Sequence, residues 1–182
     1  IPALVDQLRR VAERCERLHA GATSQDVLDA ALALTLRETS ALLRTRLETL
    51  AAALGDLEPR FGARRLMGRT RMQAAAPITV ADRLAPWRLP LASHRQRLQA
   101  LGPEVERVQI GGAAGDRAAL GDRADAIAAA VARDLGLSEP GRAWHAMRDG
   151  IAAYGAALAG ISGTLGKIGQ DICLMSQQGI DE

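Results

Sequence analysis

Apolar residues recur at three- and four-residue steps along most of this chain, the spacing of a helix with one buried stripe. The first such stretch covers residues 1–18, with an early Pro2 and apolar positions at Leu4, Val5, Leu8, Val11, Ala12 and Cys15. The second runs from residue 26 to about 57 through Val27, Leu28, Ala31, Leu32, Leu34, Leu42, Leu43, Leu47, Leu50 and Leu54. Arg37, Glu38, Arg44, Arg46 and Glu48 mark its wetter face, and Gly55 and Pro59 supply end signals. A third helix is expected over residues 78–101, capped by Thr79 or a neighbour. Pro86 and Pro90 lie inside it and predict a kink or a break. Residues 117–135 read as a short alanine-rich helix stopped by Gly136, and Pro140 with Gly141 marks a turn.

The last helix is expected from residue 145 to about 178, with Ile151, Ala152, Leu158, Ile161, Leu165, Ile168, Ile172 and Met175 apolar. At 1.5 Å per residue it is roughly 50 Å long. Gly155, Gly160, Gly163, Gly166 and Gly169 lie along it. Each costs up to about 1 kcal/mol against alanine, so close approach of another helix is the expected compensation. Two stretches break the pattern. Residues 60–77 read as a loop with room for a short strand or hairpin, and residues 108–116 form a glycine-rich turn. That turn is not G-x-G-x-x-G and no β-α-β pattern surrounds it. Gly111, Gly112 and Gly115 therefore point to close backbone approach or space for a ligand, not to a nucleotide cradle.

The fold class is all-α, a bundle of long helices. Aromatics are 2% of the chain while alanine and leucine are abundant, which suits close helix packing over a β-sandwich. One chain of 182 residues is too short to cover the apolar faces of such helices, so self-association is expected. The net charge of +2 argues against a dedicated nucleic-acid binder, and a pI near 8.9 leaves room for a small anionic ligand. Cys15 and Cys173 form no C-x-x-C, and His19, His94 and His145 are scattered, so neither a metal site nor a disulfide framework is expected. His94, between charged neighbours including Arg95 and Arg97, reads as a surface histidine. No signal peptide opens the chain and no run of eighteen apolar residues occurs, so no membrane partner and a reducing cytoplasm are expected. The opening Ile-Pro lacks an initiator Met, and the chain is expected to be part of a longer one.

Candidate chemistry gathers in residues 19–26, His-Ala-Gly-Ala-Thr-Ser-Gln-Asp. Thr23 and Ser24 suit a helix N-cap, and Asp26 and Asp29 suit its first turn. The free N–H groups and positive dipole end there favour an anion. The loop at 60–77 adds Arg64, Arg65, Arg69 and Arg71, whose planar forks fit carboxylates. Lys167 is the only lysine; it can pair with Asp171 four residues on or serve a site. His145, beside Trp144, can line a pocket or start a helix.

The order His19-x-Gly21-x-Thr23-Ser24-x-Asp26, Gly68-Arg69-Thr70-x-x-Gln73 and Lys167-Ile-Gly-Gln-Asp-Ile172 resembles the fumarase/aspartase superfamily over essentially the whole chain. Gln25 within the first motif, residues 109–115 (Gln-Ile-Gly-Gly-Ala-Ala-Gly) and Trp144-His145-x-x-Arg148-Asp149 look most like its lactonizing branch. Adenylosuccinate lyase is the nearest competitor. The resemblance implies a cofactor-free homotetramer acting on a small tricarboxylate, with sites assembled from three subunits. His19 and Ser24 are then catalytic, and Thr23, Gln25, Arg69, Thr70, Gln73 and Lys167 bind substrate. It also implies a mobile Gly-Ser-Ser signature loop that is not in this chain. Residues 1–182 thus read as the central helical domain of the enzyme, inactive alone, with the N-terminal remainder and C-terminal domain outside it. Three departures stand out. Arg71 occupies the place where lyases of the superfamily carry histidine, Ala30 stands where many relatives have threonine, and Met147 replaces an expected polar residue. The competing expectations are a fumarate-releasing β-elimination and a non-catalytic assembly module.

Overall fold

A computed structural model describes residues 1–12 and 17–182. It comprises two compact units, residues 1–39 with 101–153 and residues 40–100 with 154–182. Three helices, α2 (Ser24–Phe61), α3 (Val80–Val105) and α5 (Asp149–Met175), contribute residues to both.

The first unit opens with α1 (Pro2–Val11), shorter than the expected 1–18. Arg17 to Gly21 form a turn, and Cys15, expected on the apolar side, lies outside the described residues. The core here is Ala33, Val108, Ala132 and Leu137, with Leu34, Ile110, Val131 and Leu135 packed against it. Small side chains let α2 approach α4 (Ala124–Leu135), which follows a 3-10 turn over Ala118–Arg123. Gly136 ends α4 in the left-handed conformation that glycine adopts without cost (φ 63°). The last carbonyls of α4 would be orphaned, but Arg37 Nη1 on α2 donates to Leu135 O at 2.7 Å and Gly136 O at 2.9 Å. Arg117, 6% exposed, donates to Ile110 O and to the carboxylates of Asp125 and Glu139. A buried guanidinium needs such partners.

In the second unit the buried positions follow a heptad. On α3 they are Leu84, Trp87, Leu91, His94 and Leu98, and on α5 Tyr154, Ile161 and Ile168; Ser40, Leu47 and Leu54 do the same on α2. A seam at three- and four-residue steps is what packs long helices nearly side by side. Polar pairs set the register. Ser40 and Tyr154 share a hydrogen bond of 2.8 Å, Arg88 reaches Glu58 at 2.6 Å, Arg95 reaches Glu48 at 2.9 Å, and Trp87 Nε1 donates to Asp171 at 2.6 Å. Sequence numbers rise on α3 as they fall on both partners, so α3 is antiparallel to α2 and α5.

The expected loop at 60–77 is an antiparallel hairpin of β1 (Arg65–Thr70) and β2 (Gln73–Thr79). A register shift at Gly68 needs glycine, since a Cβ there would lie 2.7 Å from Ala76 O. Thr79 then caps α3. Its hydroxyl accepts from Asp82 N while Asp82 takes the Thr79 N–H at 2.9 Å and the hydroxyl, a reciprocal box that holds the Asp82 carboxyl below its ordinary value.

Four expectations are corrected. Gly55 and Pro59 do not end α2, which runs to Phe61. Pro59 falls in the final turn, and the helix continues through it. Pro86 and Pro90 do not break α3, because Leu84, Trp87 and Leu91 are buried around them and packing outweighs local propensity. The last helix runs over Asp149–Met175, not from residue 145. His94 is buried, not on the surface, at 4% exposure. Its charged neighbours Arg95 and Arg97 hide the fact that it occupies a seam position.

The glycine-rich helix also differs. Gly160 meets His94, whose Cε1 lies 3.3 Å from where a Cβ would be, but Gly155, Gly163, Gly166 and Gly169 face open space. The close helix expected to compensate them is thus not supplied by the described residues at four of the five positions. α5 reaches a mean hydropathy of 1.2 over eighteen residues, long and apolar enough by composition to cross a membrane, though Lys167 and Asp171 interrupt it.

His94 makes stability depend on pH. Arg97 donates to Nδ1 at 3.4 Å, so the neutral ring carries its proton on Nε2 and donates to Thr164 Oγ1 at 2.8 Å. Burial first, and the Arg97 charge second, lower its pKa from 6.5. The folded state therefore binds fewer protons than the unfolded chain. Its contribution is full above pH 6.5 and is lost as pH falls through 6.5 toward the lowered value. Melting temperature between pH 7 and 5 is expected to fall less steeply in His94→Gln than in the parent, and equal slopes would contradict this assignment.

Candidate functional site

The N-terminal turn of α2 is fixed by one carboxylate. Asp26 is 5% exposed and accepts four hydrogen bonds: Thr23 N–H at 2.9 Å, Gln109 Nε2 at 3.0 Å, Gly111 N–H at 2.9 Å and Gly112 N–H at 3.0 Å. Two consecutive backbone N–H groups thus converge on an anion, and the anion is the chain's own. Glycine suits three positions of this loop. A Cβ on Gly111 would sit 2.6 Å from that of Ala143, and Gly112 and Gly115 have φ of 67° and 80°. The expectation of close approach at these glycines is met, and the close neighbours are protein groups.

Gln109 extends the network. It is 1% exposed, its Oε1 accepts the Trp144 N–H at 2.7 Å, and its Nε2 also lies 3.3 Å from His145 Nδ1. Trp144 Nε1 donates to Val108 O at 2.9 Å. His145 thus precedes α5 and stands beside the glycine loop, its Cε1 only 2.8 Å from where a Gly115 Cβ would be. One turn further along α2, Asp29, 1% exposed, takes Arg148 Nη1 at 2.9 Å, and Arg148 stacks over Trp144 at 5.4 Å.

These anchors leave the polar residues between them available. α2 starts at Ser24, with Thr23 at the capping place, yet Asp26 does the capping and neither hydroxyl makes a hydrogen bond among the described residues. Both are half-buried, as are His19 and Gln25. His19 has φ 63°, a strained value for a side-chain-bearing residue, which turns the chain before Gly21. The result is a helix N-terminus with two uncommitted hydroxyls, an imidazole and an amide.

In the second unit the hairpin tip carries the other sequence candidates. Thr70 pairs with Gln73 across a two-residue turn, Arg71-Met72, with φ of 47° and 65°. Arg69, Thr70 and Gln73 are exposed. Arg69 Nη2 lies 3.5 Å from Glu182 Oε1, which also accepts the Met67 N–H at 3.3 Å. Lys167 on α5 pairs with Asp171 at i+4, the structural alternative of its two readings, and lies 5.8 Å from the Trp87 ring. Burial works to raise the Asp171 carboxyl. Hydrogen bonds from Lys167 and Trp87, with the charges of Lys167 and Arg83, outweigh it and hold the carboxyl below its ordinary value. Among the described residues no group of three His, Cys, Asp or Glu could hold a metal. The candidates therefore fall into two sets, residues 19–25 in one unit and 69, 70, 73 and 167 in the other.

Sequence reasoning took Asp26 only as a first-turn acid and missed its lock on Gly111 and Gly112. The partners lie more than eighty residues apart in sequence, and no local pattern joins them.

The sequence profile of the lyase family matches residues 3–181. The 3-carboxy-cis,cis-muconate cycloisomerase of Pseudomonas aeruginosa is 43% identical over 91% of this chain, which spans 36% of that protein. The crystal structure of the 3-carboxy-cis,cis-muconate lactonizing enzyme from Pseudomonas putida matches the whole chain with a TM-score of 0.92 at 39% identity, covering 41% of that chain. A fumarate lyase from a Mesorhizobium species matches with a TM-score of 0.93 at 37% identity, and 43% of it is covered. This chain thus spans well under half the length of these relatives.

Proposed function

Since this chain belongs to the lyase family, we propose that it is the central helical domain of a cofactor-free cytoplasmic enzyme that lactonizes 3-carboxy-cis,cis-muconate to 4-carboxymuconolactone. One carboxylate oxygen of the substrate forms a C–O bond across a double bond. A proton is delivered on the opposite face, to the carbon next to another carboxylate, so no atom leaves. Negative charge builds on that second carboxylate as an enolate-like intermediate. Catalysis needs fixed donors there.

The observation that carries this reading is the Asp26 lock, which holds the start of α2 rigid while leaving Thr23 and Ser24 uncommitted. Ser24 and the helix N-terminus stabilise the developing charge, His19 relays or orients the proton, and Thr23 and Gln25 bind substrate carboxylates. Arg69, Thr70, Gln73 and Lys167 bind substrate from the hairpin side. The enzyme is a homotetramer in which residues 19–26 of one subunit meet the hairpin of another. The open faces of Gly155, Gly163, Gly166 and Gly169 support a second copy packing on α5.

The test is loss of muconate ultraviolet absorbance with the full-length protein that carries this chain. A second reading, fumarate-releasing β-elimination, is favoured by the equal likeness to the Mesorhizobium fumarate lyase. Turnover of the muconate without fumarate supports the first. Absence of muconate turnover by an intact tetramer removes it.

A further inference from the structure

Gln109 decides where His145 carries its proton. The Gln109 side chain is buried, and its Oε1 accepts the Trp144 N–H at 2.7 Å. The amide cannot be reversed, since its NH2 would then face the Trp144 N–H and its oxygen would face the Asp26 carboxylate. Nε2 is therefore the donor. One of its hydrogens goes to Asp26 Oδ1 at 3.0 Å and the other to His145 Nδ1 at 3.3 Å. A nitrogen that accepts carries no hydrogen, so the neutral imidazole holds its own on Nε2. That Nε2 makes no hydrogen bond among the described residues, and it is not sealed from solvent.

The ring is firmly held for a group with an idle donor. Trp144 before it is buried, with its backbone N–H and its Nε1 both given to acceptors, and Arg107 and Arg148 lie over its ring at 5.6 and 5.4 Å. Gly115 leaves the space for the imidazole: a Cβ there would lie 2.8 Å from Cε1 and 3.6 Å from Nε2. Through Gln109 the ring is also tied to Asp26, two residues after Ser24. The acids of that helix turn are spent, Asp26 on four donors and Asp29 on Arg148. An idle, oriented N–H beside spent carboxylates favours an acceptor from outside, and an anionic one above a neutral one.

We propose that His145 is a further substrate-contacting residue of the site at the start of α2, its Nε2–H donating to a carboxylate oxygen while Gln109 holds the tautomer. The proposal rests on the lyase reading for the identity of the natural substrate. Gln109 is then a positioning residue, and it acts only through the ring. A bond to a carboxylate that is present before and during reaction adds to binding more than to the rate.

The test compares variants of the full-length protein in muconate turnover and in calorimetric binding of propane-1,2,3-tricarboxylate, an inert probe. Asparagine places its amide near Nδ1 and can still accept from Gln109, but it has no group at the Nε2 position, which glutamine reaches with an N–H. His145→Asn is expected to raise KM and weaken probe Kd about 10- to 100-fold, the loss of a bond to a charged acceptor, with kcat moving less. Its melting temperature is expected to match the parent's. His145→Gln is expected to stay within about threefold of the parent in both constants. A role confined to supporting Gln109 would give the reverse order, with asparagine harmless and glutamine no rescue. If His145→Asn does not fold, His145→Ala takes its place. Where muconate turns over, parental KM in the folded asparagine variant, or an equal loss in His145→Gln, overturns the proposal and leaves the cycloisomerase reading standing. No muconate turnover by the parent removes that reading. Probe binding that His145→Asn weakens then keeps the His145 assignment, and a parent that does not bind the probe either overturns it.

Discussion

Asp26→Ala is expected to destabilise the protein by about 3–6 kcal/mol, read as the shift in a urea unfolding curve. The substitution strands three donors from the other side of the lock, Gln109 Nε2, Gly111 N–H and Gly112 N–H, together with the Thr23 N–H. Each buried donor without a partner costs about 1–3 kcal/mol, and the void at a site 5% exposed leaves little room for water to replace the carboxylate. Against a total stability of about 5–15 kcal/mol the loss is a large fraction. Asp26→Asn restores the shape but turns one of the two acceptor oxygens into a donor that faces donors, so it is expected to recover little. A loss below about 1 kcal/mol in Asp26→Ala would show that the lock does not hold this region together.

Ser24→Ala is expected to behave in the opposite way, with little change in stability and a fall in kcat of about 10²- to 10³-fold in the full-length protein. The hydroxyl makes no hydrogen bond among the described residues and is half-buried, so the fold loses almost nothing with it. On the proposed chemistry the rate is expected to depend on it, because a donor aimed at developing charge acts only in the transition state. KM should therefore change less than kcat. Parental kcat in Ser24→Ala, at parental stability, would remove Ser24 from the chemistry. The contrast between Asp26 and Ser24, two residues apart, separates the scaffold of the site from its working groups.

The helical pattern was legible because apolar spacing reports a buried stripe directly. The 26–57 stretch became Ser24–Phe61, and 78–101 became Val80–Val105, with Thr79 capping as expected. What misled were local signals that tertiary packing overrides, Pro59, Pro86 and Pro90 inside helices. His94 shows the same failure for burial. Two charged neighbours suggested solvent, while Leu84, Trp87, Leu91 and Leu98 at heptad spacing already named its side of the helix. The motif residues His19 to Asp26 and Gly68 to Gln73 could be picked out from the chain. Their division of labour could not, since the partners of Asp26 are set by a loop far away in sequence. The glycines of α5 asked for a close neighbour, and among the described residues one stands only at Gly160.

The central claim is that one working site takes Ser24 from one copy and Arg69 from another. The most direct measurement mixes two inactive full-length variants, Ser24→Ala and Arg69→Ala, under conditions that exchange subunits, and assays muconate turnover. The account predicts that activity returns on mixing, because some sites then join an intact Ser24 to an intact Arg69. Mixed oligomers that remain as inactive as the two parents would contradict it.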